Sequence, residues 1–137
     1  MKEYSFDELH IDQTASFEVK ITEEMLDKFC EISGDINPLH RDEEFAKSKG
    51  FPGRVAYGML VASLYSCLAG VHLPGKNCIL HSVQSDFIRP VFIGDTLVVR
   101  GGITEKNESV RQIVIKATIC NQANRKVSKA RIEAGVI

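Results

Sequence analysis

Within Ser-Gly-Asp-Ile-Asn-Pro-Leu-His, Asp35 and His40 stand five residues apart in a stretch that Pro38 stiffens. A carboxylate and an imidazole held together can position and deprotonate one water molecule, which is the minimum equipment for hydration. The same residues also admit a structural reading, with the Asp as a cap after a helix and the His as a solvated side chain. Spacing alone leaves both open. Asn37 suits bracing of the local backbone, and neither Asn37 nor Ser63 belongs to a recognisable nucleophile-base arrangement. His10, His72 and His81, taken with the cysteines, match no zinc spacing, so no metal is expected. Cys30, Cys67, Cys78 and Cys120 form no C-x-x-C pair and read as reduced structural thiols. There is no G-x-G-x-x-G and no Walker sequence, and hence no nucleotide cofactor is expected.

The elements around these residues follow from periodicity. Phe17, Val19 and Ile21 alternate with polar neighbours, the pattern of a short half-buried strand. Thr22 precedes Glu23 and Glu24, an N-cap followed by first-turn acids, and predicts a helix over Glu23 to Ile32 that Ser33-Gly34 closes. Because Pro38 pushes Asn37 out of the helical region, Asp35 to His40 is expected as a fixed loop. Asp42 can cap a further short helix that Gly50 stops, and Phe51 to Arg54 is loop again.

From Gly58 to Val71 no charge interrupts the chain, and apolar residues surround most of the circumference, so a buried helix is predicted. The period then changes. Ile79 to Phe92, Thr96 to Thr104, Val110 to Asn121 and Val127 to Ile137 are rich in Val, Ile and Thr. Short polar links at Gly94-Asp95, Lys106 to Glu108 and Asn121 to Asn124 suit antiparallel neighbours. This order belongs to the α+β class, and an antiparallel sheet wrapped around the apolar helix, the hot-dog arrangement, is the simplest way to hide that helix. One domain over residues 1–137 is expected from the length.

Two motifs carry a resemblance. Ile32 to His40, then Val55-Ala56-Tyr57-Gly58-Met59-Leu60-Val61-Ala62-Ser63-Leu64, resemble the hydratase motif of MaoC-like dehydratases and (R)-specific enoyl-CoA hydratases. The likeness continues through Phe87 to Val91 and Gly94 to Leu97, and covers most of the chain from about Thr22. It implies a hot-dog hydro-lyase in which Asp35 and His40 hold the attacking water and the apolar helix begins beneath the thioester. Physics supports the latter role for Gly58: the first N–H groups of a helix lack partners, and a glycine lets a thioester oxygen approach them. A tight start to the helix would also explain Gly58. Ser63 is similar to the family's helix serine that lines the site, although a bond to its own helix carbonyl is equally open. Tyr57 departs from the pattern, since many members carry His before Gly-Met; it would either donate to substrate or pack against the sheet.

The resemblance implies a thioester on coenzyme A or acyl carrier protein as substrate, with an (R)-3-hydroxyacyl product. Arg89 or a nearby Lys or Arg is expected to meet the carrier's phosphates rather than take part in the reaction. Thioester hydrolysis on the same fold and a binding-only subunit are the alternatives. A net charge of -1 argues against a broad polyanion face and against nucleic acid as a partner. No run approaches about 18 apolar residues and the N-terminus lacks a secretory pattern, so no membrane is expected and the cytoplasm is the default address. A homodimer, or an assembly of dimers, is expected because a lone sheet leaves edges exposed.

Overall fold

Thr14–Lys20 (β1), Cys78–Phe87 (β2), Thr96–Asn107 (β3), Gln112–Cys120 (β4) and Lys126–Val136 (β5) form one antiparallel sheet in the order β1-β3-β4-β5-β2. The computed structural model describes Met1–Ile137. Between β1 and β2 run four helices: Glu23–Ser33 (α1), Pro38–Arg41 (α2), Glu43–Ser48 (α3) and Gly58–Cys67 (α4). The α+β hot-dog architecture expected from the order of elements is therefore present.

The sheet curls around α4 because its inner face is apolar at alternate positions. Val99 and Ile103 of β3, Ile113 and Ile115 of β4, and Ile132 and Ala134 of β5 are all buried in one cluster. Val61, Ala62 and Tyr65 of α4 meet them, followed by Leu68 and Ala69 in a π-helical turn, Leu68–His72, that continues α4. Gly101 makes this seat possible. A Cβ there would lie 2.6 Å from Leu68 and 2.8 Å from Ile115, so any larger residue would push the helix off the sheet.

Four expectations need correction. His40 lies on a helical turn rather than in a loop, because a proline suits the first position of a helix and Asn37 caps it by accepting from the Leu39 N–H at 2.9 Å. The α-helix that starts at Gly58 ends at Cys67, short of Val71, and gives way to the π turn. Nor is α4 buried all round: Met59 is 65 % exposed, and Ser63 and Ser66 are exposed beside it. Finally, β2 stops at Phe87, where the Ile88 and Arg89 N–H groups both turn to the Val127 carbonyl ahead of Pro90, which has none to give.

No helix is long and apolar enough to cross a membrane. All four cysteines are free thiols.

Candidate active site

The site is assembled where the segment after α1 meets the start of α4. Gly34 closes α1 in the left-handed region at φ +71, and its N–H reaches the Cys30 carbonyl. Two side-chain turns then follow. Asp35 Oδ1 accepts the Asn37 N–H at 3.0 Å, while Asn37 Oδ1 caps α2. Asp35 is exposed, and its second carboxylate oxygen makes no hydrogen bond within the chain. Asn37 thus acts on backbone.

His40 is half-buried, and its Nδ1 lies 2.7 Å from the Val55 carbonyl oxygen. A carbonyl only accepts, so Nδ1 carries the hydrogen and donates it. Nε2 is left with a free lone pair, ready to take a proton. The residue's own carbonyl accepts from Arg54 Nε at 2.7 Å, and the Arg54 guanidinium also reaches Glu23 at 3.0 Å and Asp27 at 2.8 Å on α1. One arginine therefore ties the His40 turn to α1.

Tyr57 is buried directly behind these groups. Its hydroxyl donates to the Asp35 backbone carbonyl at 2.7 Å, and its ring lies 4.1 Å from that of His40 and 5.0 Å from that of Phe29. Burial, reinforced by the neighbouring Cys30 thiol, pushes the phenol up to about 12, so the donor stays protonated.

Gly58 opens α4. Side chains of Thr22, Asn37 and Asp42 cap α1, α2 and α3, whereas Tyr57 offers no side-chain cap to α4. The first N–H groups of α4 are consequently left for a ligand. A Cβ on Gly58 would sit 3.3 Å from the Phe87 ring, so the glycine lets that ring pack against the head of α4.

A pocket of about 290 Å³ brings together His40, Gly58, Val61, Phe87, Arg89 and Val91. Asp35, Asn37 and Ser63 lie outside its lining. Ser63 is on the exposed side of α4 and donates to the Leu60 carbonyl of its own helix at 2.6 Å. Arg89 is exposed at the rim and donates to the Lys126 carbonyl at 2.6 Å. No three His, Cys, Asp or Glu side chains converge in a way that would hold a metal ion.

Sequence reasoning missed Val55 and Arg54, the groups that fix the histidine. The Val55 contact is through backbone and leaves no trace in residue type. Arg54 does leave one, as the single charged residue in the Phe51 to Ala56 run that leads into the apolar helix.

An uncapped central helix inside a curled sheet, with an imidazole beside the helix start, defines a hot-dog protein with a mostly apolar pocket at the head of that helix. The family model described as MaoC like domain matches residues 8–124, and the chain belongs to that family, as its motifs lead one to expect. Among curated relatives, the chain is 36 % identical over 100 residues to the (R)-specific enoyl-CoA hydratase of Aeromonas caviae, covering 73 % of this chain and 75 % of that one. It is 34 % identical over 126 residues to the enzyme of the same name from Rhodospirillum rubrum, covering 89 % and 84 %. Among solved structures, the unliganded R-hydratase PhaJ1 of Pseudomonas aeruginosa superposes with a TM-score of 0.92 at 32 % identity, over 96 % of this chain and 84 % of that one.

Proposed function

We propose that this hydro-lyase reversibly hydrates trans-2-enoyl thioesters, carried on coenzyme A or acyl carrier protein, to (R)-3-hydroxyacyl thioesters. The observation that carries the reading is the tautomer of His40, whose Nε2 is left basic at the wall of a pocket headed by the uncapped α4. Water held by His40 Nε2 and the free oxygen of Asp35 attacks C3 of the enoyl group. Its proton passes to Nε2 and then to C2. Negative charge that builds on the thioester oxygen meets the first N–H groups of α4 at Gly58. Tyr57 fixes the Asp35 backbone and the His40 ring, Asn37 braces the turn, Ser63 stands further along the helix, and Arg89 at the rim meets carrier phosphates. The reaction needs no cofactor, metal or nucleic acid.

A second copy of the chain completes the site in this reading. β2 is an edge strand, and the pocket residues Phe87 and Ile88 lie at its end, 52 % and 42 % exposed. Pairing there would roof the pocket.

Crotonyl-CoA tests the proposal. Asp35→Asn and His40→Ala are each expected to lower kcat by about 10²- to 10⁴-fold with the fold retained. The double variant should lose little more than the worse single one, because both groups act on one water. Chiral analysis should find the (R) product. Release of free thiol would instead indicate thioester hydrolysis, and binding without turnover a non-catalytic subunit. Full activity in Asp35→Asn, or an (S) product, would overturn the mechanism.

A further inference from the structure

The outer face of the sheet, turned away from α4, carries a second and larger concavity of about 740 Å³. Its floor is the row Gly101, Ala117, Ala130 and Ser85, one residue from each of β3, β4, β5 and β2 in register. These residues are small, and Gly101, Ala117 and Ala130 are buried, so the row lies low between its neighbours. One wall is the row Arg100, Thr118, Lys129 and Asp86, and the other is Gly102, Lys116, Arg131 and Gln84. The result is a trough running across the strands between two lines of cations.

Its charge is not balanced within the chain. Arg131 pairs with Glu133 and, at 3.5 Å, with Glu105, and Lys129 lies 4.0 Å from Asp86. Arg100, Lys116 and Lys126 have no ion-pair partner. Moreover, Lys116 stands directly opposite Arg131, a like-charge juxtaposition that costs stability on a sheet. A protein of net charge -1 has concentrated cations here against that cost.

The lining also indicates what the trough takes. Two of the fourteen lining residues are hydrophobic, and those two are Ala117 and Ala130; none is aromatic. A nucleotide base would find nothing to stack on or bury against, whereas small-ligand sites are mostly apolar and aromatic. Carboxylates repeated along one face of a helix, at three- and four-residue spacing, need only cations in a row. Position points the same way. Lys126 and Lys129 flank Val127, which lines the His40 pocket, and Arg89 of that pocket donates to the Lys126 carbonyl. A partner seated across the trough therefore comes within a few residues of the pocket wall along β5.

We propose that this trough docks an acidic helix of the protein that carries the acyl thioester on a flexible arm. The proposal rests on the hydratase reading and names the carrier it favours. Arg100→Glu with Lys116→Glu is expected to raise KM for a crotonyl thioester on acyl carrier protein at least about tenfold, since like charges set against each other oppose docking. Here kcat should hold, and crotonyl-CoA kinetics should not change, which also reports an intact fold. In the unaltered protein, KM for the carrier-protein substrate should climb with salt. An equal rise on both carriers would assign the trough to phosphates of coenzyme A and overturn the proposal, as would no rise on either. Anisotropy of a labelled holo-acyl carrier protein gives a second readout: binding that weakens in the double variant supports docking even if the protein hydrates neither substrate, and no binding sinks it while leaving crotonyl-CoA turnover to judge the reaction.

Discussion

At the residue level, His40 obtains its chemical character from a main-chain group 15 positions away. The Val55 carbonyl selects the tautomer, and the Tyr57 ring holds the plane of the imidazole. Tyr57 does a second thing, because its hydroxyl donates to the Asp35 carbonyl and so ties both Asp35 and His40 to one side chain. Tyr57→Phe keeps the ring and deletes that bond. Stability should fall by about 1 kcal/mol, the net worth of a typical hydrogen bond. Displacement of Asp35 should lower kcat by about 10- to 100-fold with KM little changed, read from crotonyl-CoA kinetics. A raised KM at constant kcat would show instead that the phenol touches substrate. Type and spacing brought Asp35 and His40 forward as candidates, but Asp35 lies outside the pocket that His40 lines, and the loop expected from Pro38 is a helical turn. What fixes His40 was not legible, because the partners are a backbone carbonyl and an arginine brought in from the other side of a turn.

Among the elements, the strands were legible because their period survives in the composition. Their order was not, since β1-β3-β4-β5-β2 places the first strand beside the third, and no local pattern encodes a pairing between distant segments. The exposed stripe of α4 did leave a signal. Met59, Ser63 and Ser66 recur at helical spacing, the period of one face, although the uncharged run around them points to full burial. The anchorage of α4 to the sheet gives a pH prediction. Tyr65 is buried and donates to Ser128 Oγ at 2.8 Å, which in turn donates to the Asp86 carbonyl at 2.9 Å. Burial pushes this phenol up to about 12, as it does Tyr57, whereas an unfolded tyrosine ionises near about 10. The native state therefore holds more protons than the unfolded state between those values. Its stability should be complete below about pH 10 and fall as pH rises towards 12. Urea midpoints at pH 8 and pH 11 measure this, and Tyr65→Phe should shallow the decline. Equal midpoints at the two pH values would mean that both phenols ionise within the native fold.

For the whole molecule, the chain on its own leaves one side unfinished. The edge strand β2 exposes Ile79 at 49 % and Leu80 at 40 % near its start, and Phe87 and Ile88 are exposed at its far end by the mouth of the His40 pocket. An edge of this kind would pair with any strand offered, and natural proteins usually protect it with charge, proline or a covering element. Here β2 exposes apolar residues at both of its ends, Ile79 and Leu80 at one and Phe87 at the other, and the exposed stripe of α4 carries Met59 at 65 % exposure. A second copy related by a two-fold axis presents the same edge to itself, which closes the assembly at two. Light scattering should find a dimer at working concentration. Leu80→Lys places a charge on that edge in both copies at once, so it should shift the equilibrium towards monomer. Because a partner that binds only the folded chain stabilises it by mass action, the thermal midpoint of the unaltered protein should rise with concentration and that of Leu80→Lys should rise less. If the pocket mouth is roofed by the partner, diluting Leu80→Lys should also lower specific activity on crotonyl-CoA, whereas the unaltered protein keeps its activity over the same range. A monomer with full activity at every concentration would remove the second copy from the site and leave the β2 edge to another partner.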